Sequence, residues 1–276
     1  MSRTDDPRTD DAITADYRVF QRARGHRYAI DDVLTAWLAA TRAPRATRIL
    51  DLGTGIGSVA IMLAWKLREA RLVTVEAQAI SLALHRENVA RNGLAARIAV
   101  HEGDFRDEVV RAALAAHGPF DLVTGTPPYF PPERALPSPD AQRTHARLEM
   151  RGGVEAYLET AARLVALGGV VVVCADAQRP ERVLDTAPRL GLVPEHALEV
   201  APREGKPALF SVWTLRRGDE IGPAQALVRE AWAARDAHGA RAPRQREIRR
   251  FFGLDLPEVE SPSPAQRVRR AGGAAS

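Results

Sequence analysis

Residues 51–57 read Asp-Leu-Gly-Thr-Gly-Ile-Gly, between an apolar run that ends at Leu50 and a helical pattern that starts near Ser58. Glycines packed into a strand-to-helix turn let the backbone approach a ligand that a Cβ would exclude. Few folds accommodate such a turn, and most of them are open, largely parallel sheets that hold a nucleotide-class ligand at the strand ends. The run is tighter than the dinucleotide Gly-x-Gly-x-x-Gly pattern and lacks the Gly-Lys-Ser/Thr ending of a phosphate-cradling loop. Neither a pyrophosphate nor a triphosphate is well provided for.

The residues that follow narrow the ligand. The apolar run Arg71–Val75 ends in Glu76, a carboxylate at the carboxyl end of the neighbouring strand, where it can accept hydrogen bonds from both hydroxyls of a ribose. A third run, Arg97–Val100, leads to Gly103-Asp104-Phe105, which offers a carboxylate for an adenine amine and a ring for its face. These parts suit an adenosyl ligand without phosphate, held by Asp51, Gly53, Thr54, Gly55, Gly57, Glu76, Asp104 and Phe105. A second loop, Thr126-Pro127-Pro128-Tyr129-Phe130, closes another apolar strand and can hold a flat substrate beside that ligand. Pro127 and Pro128 have no amide hydrogen and fix φ, so a carbonyl can face the substrate without a competing donor. Tyr129 can stack on a flat acceptor and Phe130 can wall the pocket. The structural alternative is that Pro-Pro merely ends a strand and Tyr129 packs in the core.

In this order the residues resemble the S-adenosylmethionine-dependent methyltransferases of the Rossmann-like class. The Pro-Pro-Tyr loop narrows the resemblance to those that methylate planar amines. Residues 25–34, 146–155 and Gly205-Lys206-Pro207 make the chain similar to the bacterial tRNA1(Val) adenine-N6 methyltransferases, from about Phe20 to Arg217. Relatives usually carry Asn before Pro-Pro-Tyr, where this chain has Thr126. The resemblance implies S-adenosylmethionine as cofactor, an antiparallel last strand, and transfer of a methyl group to an exocyclic amine, most readily adenine N6 in tRNA or other structured RNA. Thr126, Pro127, Pro128 and Tyr129 would then be the catalytic loop, with Phe130 and Arg147 beside the substrate. A small molecule or a protein side-chain amide is the alternative acceptor. A cofactor-binding scaffold with catalysis lost at Thr126 is the reading from another class.

Alternating short apolar runs and helical patterns imply βαβ units and a three-layer α/β sandwich with a seven-stranded, mostly parallel sheet. Strands are expected near 48–50, 72–75, 98–100, 121–124, 170–175, 193–200 and 208–215. Helices are expected at 31–40, 58–67, 80–92, 154–167 and 180–190. At 276 residues one core of this kind suffices, flanked by a disordered arm over 1–19 and an extension over 218–276. In that extension a helix over 223–237 precedes the basic run 241–250, and residues 261–276 read as disordered. The 131–153 segment is too long for a routine connection and starts at the catalytic loop, so it reads as a substrate lid or as an ordinary surface insertion.

Composition limits the other readings. The single cysteine, Cys174, excludes disulfides and cysteine-rich zinc sites, points to a reducing compartment, and lies in an apolar run that reads as a buried strand. His26, His101 and His145 lack metal-ligand spacing and read as surface or packing residues, so no metal is expected. No stretch is long enough to span a bilayer, and a cytoplasmic protein is expected. The net charge of +4 divides between RNA contact and mere arginine-rich composition, because lysine occurs only at Lys66 and Lys206. Arg24, Arg27, Arg147 and Arg151 could hold phosphate or be solvated. Asp31 and Asp32 suit a helix N-terminus and could also shape the cofactor end.

Overall fold

Strands with apolar residues on both faces need cover on both sides, and from Arg48 to Ala201 the chain supplies it with a helix between successive strands. The computed structural model describes residues 7–129, 140, 142, 149, 152–218 and 226–254. In chain order the elements are β1 (Arg8–Ala12), β2 (Arg18–Arg22), α1 (Ile30–Arg42), β3 (Arg48–Leu52), α2 (Ser58–Lys66), β4 (Arg71–Glu76), α3 (Ala79–Arg91), β5 (Ile98–Glu102) and α4 (Glu108–Ala115). They continue as β6 (Phe120–Gly125), α5 (Val154–Leu164), β7 (Val165–Asp176), α6 (Glu181–Arg189), β8 (Leu192–Ala201), β9 (Phe210–Arg217), β10 (Val228–Ala233) and α7 (Pro243–Phe251).

The main sheet has the order β10-β8-β9-β7-β6-β3-β4-β5, with β9 antiparallel to both of its neighbours. Along β7, Val170, Val172 and Cys174 enter one buried cluster with α1 and α2, while Val171, Val173 and Ala175 enter the other with α5 and α6. This strict alternation is what makes three layers. Cys174 is fully buried, and burial holds its thiol far above the usual range, so it is a packing residue and not a nucleophile. Strand order reverses between β3 and β6, which puts a crevice at their carboxyl ends, beside Leu52 and Gly125.

Three expectations need correction. Among the described residues the sheet has eight strands, not seven, because residues 228–233 form β10 and not part of a helix over 223–237. Pairing in parallel with β8 satisfies an edge that would otherwise expose its amides and carbonyls. The arm over 1–19 is not wholly disordered either: β1 pairs with β2 from Arg8↔Arg22 to Ala12↔Arg18. Its acids are neutralised across the hairpin and beyond, Asp10 by Arg18 at 3.1 Å and Arg91 at 2.6 Å, and Asp11 by Arg27 at 2.9 Å. Arg27 therefore ties the segment after β2 back to the hairpin.

The basic run forms α7, anchored by Ile248 and Phe252, and the Phe252 carbonyl accepts the Ala15 amide at 2.9 Å. Phe252 is 0% exposed, so Phe252→Leu should cost about 1 to 2 kcal/mol through lost burial and a residual cavity. Thermal unfolding checks this, and an unchanged midpoint would mean that α7 is not docked. The expected disordered end at 261–276 lies outside the described residues. So does most of the 131–153 segment, although Asp140 and Gln142 are held by Arg22 at 2.8 and 3.1 Å.

Candidate active site

The glycine turn forms the floor of a cleft at the β3/β6 reversal. Gly55 and Gly57 have φ of +59° and +88°, in the left-handed region that glycine enters without steric cost. A Cβ on Gly57 would come within 2.1 Å of the ring of His85, and one on Gly53 within 2.3 Å of the Tyr157 hydroxyl, whereas one on Gly55 would meet no protein atom. Gly53 and Gly57 are thus backed by protein, and Gly55 faces open space. Thr54 is tied down twice, its amide to the Val75 carbonyl at 3.0 Å and its hydroxyl to Asp51 at 2.6 Å.

Carboxylates surround this floor. Asp51 is buried and also accepts the Thr124 hydroxyl at 2.7 Å; burial pushes its carboxyl up to about 6, against the pull of these two hydroxyls and with the help of the Glu76 charge. Glu76, at the end of β4, accepts the Gly55 amide at 2.8 Å and the Gln78 amide at 2.6 Å. Its carboxylate therefore fixes the turn as well as facing the cleft. Asp104 is gripped by the Arg106 guanidinium at 2.9 and 2.6 Å, and Phe105 sets its ring edge-on to Tyr157 at 4.7 Å.

The second loop leaves β6 at Gly125. Thr126 and Pro128 line the cleft, and Pro127 is buried beneath it. The Thr126 hydroxyl donates to Asp32 Oδ1 at 3.3 Å, and Asp32 Oδ2 accepts the Ala29 amide at 2.9 Å as a cap on α1. Asp32 thus both caps its helix and shapes the cleft. Burial raises its carboxyl to about 6 against hydrogen bonds from Ala29, Ser58 and Thr126, with the Asp51 charge adding to the rise. The Tyr129 ring stacks on Phe210 at 5.9 Å with its hydroxyl 3.4 Å from Asp31, so one face is already covered by protein. Phe130 and Arg147 lie outside the described residues, as do His145 and Arg151.

Sequence reasoning missed three contributors. His26, expected as a surface or packing residue, lines the cleft together with Tyr28. Tyr157, buried on α5, supports Gly53 and Gly125. A lone tyrosine on an amphipathic helix carries no signal of its own; only the glycines that make room for it hint at a large neighbour.

Among the described residues no lysine or arginine side chain lines the cleft. The donors and acceptors are carboxylates, hydroxyls and backbone amides, which fit the hydroxyls, amines and positive sulfur of S-adenosylmethionine and not a phosphate chain.

Comparison with known proteins agrees. The family model for the methyltransferase small domain matches residues 27–135. Over 175 residues the chain is 31% identical to a tRNA1(Val) (adenine(37)-N6)-methyltransferase of Bacteroides fragilis, covering 63% of this chain and 70% of that protein. It is 31% identical over 166 residues to the protein of the same name from Porphyromonas gingivalis, covering 59% of this chain and 64% of that one. A predicted O-methyltransferase from Agrobacterium tumefaciens superposes with a TM-score of 0.59 at 20% identity, covering 83% of this chain and all of that one, a likeness of fold. Glycine floor, acidic cleft and sequence kinship together place the chain in the tRNA1(Val) (adenine(37)-N6)-methyltransferase family of S-adenosylmethionine-dependent enzymes.

Proposed function

We propose that the chain methylates the exocyclic N6 amine of an adenine in tRNA or a similarly structured RNA. The observation that supports this most is the commitment of the Thr126 proton to Asp32. A hydroxyl that donates sideways keeps its lone pairs for the cleft, so Thr126 can accept an amine hydrogen as the amide oxygen of Asn would. When bound, S-adenosylmethionine supplies an electrophilic methyl group on a cationic sulfur.

The chain's own residues do the rest. Gly53, Thr54, Gly55 and Gly57 with Asp51 form the floor, Glu76 takes the ribose hydroxyls, and Asp104 with Phe105 takes the adenine of the cofactor. Thr126 Oγ1 and the carbonyl of Pro127 accept the two hydrogens of the acceptor amine. An aromatic amine is a poor nucleophile because its lone pair is delocalised into the ring. Accepting both hydrogens favours the pyramidal form, a stabilisation that grows toward the transition state. Alignment of acceptor and donor contributes about 7 kcal/mol or more in well-oriented systems. Pro128 and Tyr129 shape the acceptor pocket, Phe130 walls it, and Arg147 holds a phosphate of the RNA. A cytoplasmic location follows from such a substrate; among the described residues no helix is long and apolar enough to cross a membrane.

Incubating the protein with methyl-labelled cofactor and bulk tRNA, then separating nucleosides, should place the label in N6-methyladenosine. Label in protein or small molecules alone would shift the reading to a different acceptor. Tight cofactor binding without turnover on any acceptor would make the chain a scaffold.

A further inference from the structure

Helix α7 lies outside the catalytic parts named so far, yet it reaches the cleft mouth. Ile248 points into the core, while Arg246 and Arg250 sit four residues apart on the exposed flank and Arg249 lies half-buried beside them. The Arg246 guanidinium donates to the Arg241 carbonyl at 2.9 Å, which brings Arg241 to the same flank. The charge of Arg249 acts on the hydroxyl of Tyr28, and Tyr28 lines the cleft. The arginine flank is therefore continuous with the candidate active site.

The charges of Arg241, Arg246 and Arg249 are not balanced from within. Arg244, on the same helix, is neutralised by Glu230, but among the described residues no ion pair joins Arg241, Arg246 or Arg249 to a carboxylate. The Nε of Arg249 is buried without an acceptor among the described residues. A planar fork of donors beside two further guanidiniums fits one kind of ligand well, a phosphate, which it can grip with two hydrogen bonds at once. We propose that the Arg241, Arg246 and Arg249 face of α7 binds backbone phosphates of the RNA next to the nucleotide held in the cleft. This rests on the reading of RNA as substrate.

The test is binding of tRNA to the full chain over a series of salt concentrations. Removing one phosphate-binding arginine should lower the slope of log affinity against log salt by about 0.7 to 0.9. The double variant Arg241→Glu/Arg246→Glu changes two exposed side chains and should weaken RNA binding by about tenfold or more and flatten the slope by roughly 1.5. Arg249→Gln should flatten it by about the increment of one further phosphate. Calorimetric affinity for S-adenosylmethionine should stay at the wild-type value in the double variant, and Arg163→Glu, an exposed change on α5, should leave the slope unchanged. An unaltered slope in the double variant, with wild-type protein still methylating RNA, overturns the proposal alone. An equal weakening in Arg163→Glu overturns it too, because net charge would then hold the RNA. If the wild-type protein neither binds nor methylates RNA, this proposal and the substrate reading fall together.

Discussion

Alanine at Gly55 should leave the protein folded and remove most of its affinity for S-adenosylmethionine, whereas alanine at Gly57 should damage the fold itself. Both residues are left-handed, with φ of +59° and +88°, so each substitution carries a backbone cost of about 1 to 2 kcal/mol. The difference lies in what the new methyl group meets. At Gly57 it would sit 2.1 Å from the ring of His85, which is fully buried and whose Nε2 is 2.9 Å from the Thr74 hydroxyl. That ring has no room to retreat, and overpacking of this kind adds about 1 to 3 kcal/mol. Burial also holds the His85 imidazole down to about 4, so it stays neutral at ordinary pH and cannot escape by charging and moving toward water. At Gly55 the methyl group would enter empty space on the ligand side. Thermal unfolding should therefore show a small loss for Gly55→Ala and a loss two to three times larger for Gly57→Ala. Calorimetry on Gly55→Ala should show affinity for the cofactor reduced at least tenfold, about 1.4 kcal/mol. Wild-type affinity in that variant would mean that the ligand does not lie over the turn.

How far such a site can be read from the chain depends on the distance over which its parts are set. The glycine turn, Glu76 and Asp104 are legible because each is bound to its own strand end, and the strand is marked by a local apolar run. The parallel order of the sheet follows from the same runs. β10 was not legible: Val228, Glu230 and Trp232 alternate with Arg229, Ala231 and Ala233, but what makes them a strand is the free edge of β8, visible only after the sheet exists. The hairpin at the N-terminus depends likewise on Asp10 meeting Arg91, which lies 81 residues away. In the cleft, Tyr157 and His26 come from elements with no motif of their own. The pairing of Thr126 with Asp32 spans 94 residues, and it bears on the departure at Thr126: in the function proposed here the hydroxyl, which alone could donate or accept, is turned by a neighbour into an acceptor for the cleft.

The rate of methyl transfer at saturating cofactor and RNA should fall as pH drops through about 6, and Asp32→Asn should be slow with no such step. Asp32 has a carboxyl raised from 3.8 to about 6, chiefly by burial. Above that pH it is a carboxylate and takes the Thr126 proton, leaving Thr126 Oγ1 as an acceptor. Below it the protonated carboxyl can donate to Thr126, and the Thr126 hydrogen turns toward the cleft, where it opposes the N–H of an incoming amine. A donor fixed at position 32 by Asp32→Asn would impose that state at every pH. Loss of rate on acidification would not come from unfolding driven by this group. A carboxyl whose pKa is higher folded than unfolded binds its proton more tightly in the native state, so its own contribution to stability grows as pH falls from about 6 toward 3.8. Burial raises Asp31 and Asp51 to about 6 as well; in Asp32→Asn, Asp31 loses the push of the Asp32 charge, and the hydrogen bonds of Asp51 run to Thr54 and Thr124 on the cofactor side, which saturating cofactor keeps filled. Thr126→Val keeps the shape and deletes the acceptor; it should lower the rate by about 10²-fold, the scale of losing one oriented transition-state hydrogen bond, while Thr126→Ser should retain most of it. Single-turnover kinetics over pH 5 to 8 on these variants decide the matter, and a wild-type pH profile in Asp32→Asn would break the link between Asp32 and the acceptor amine.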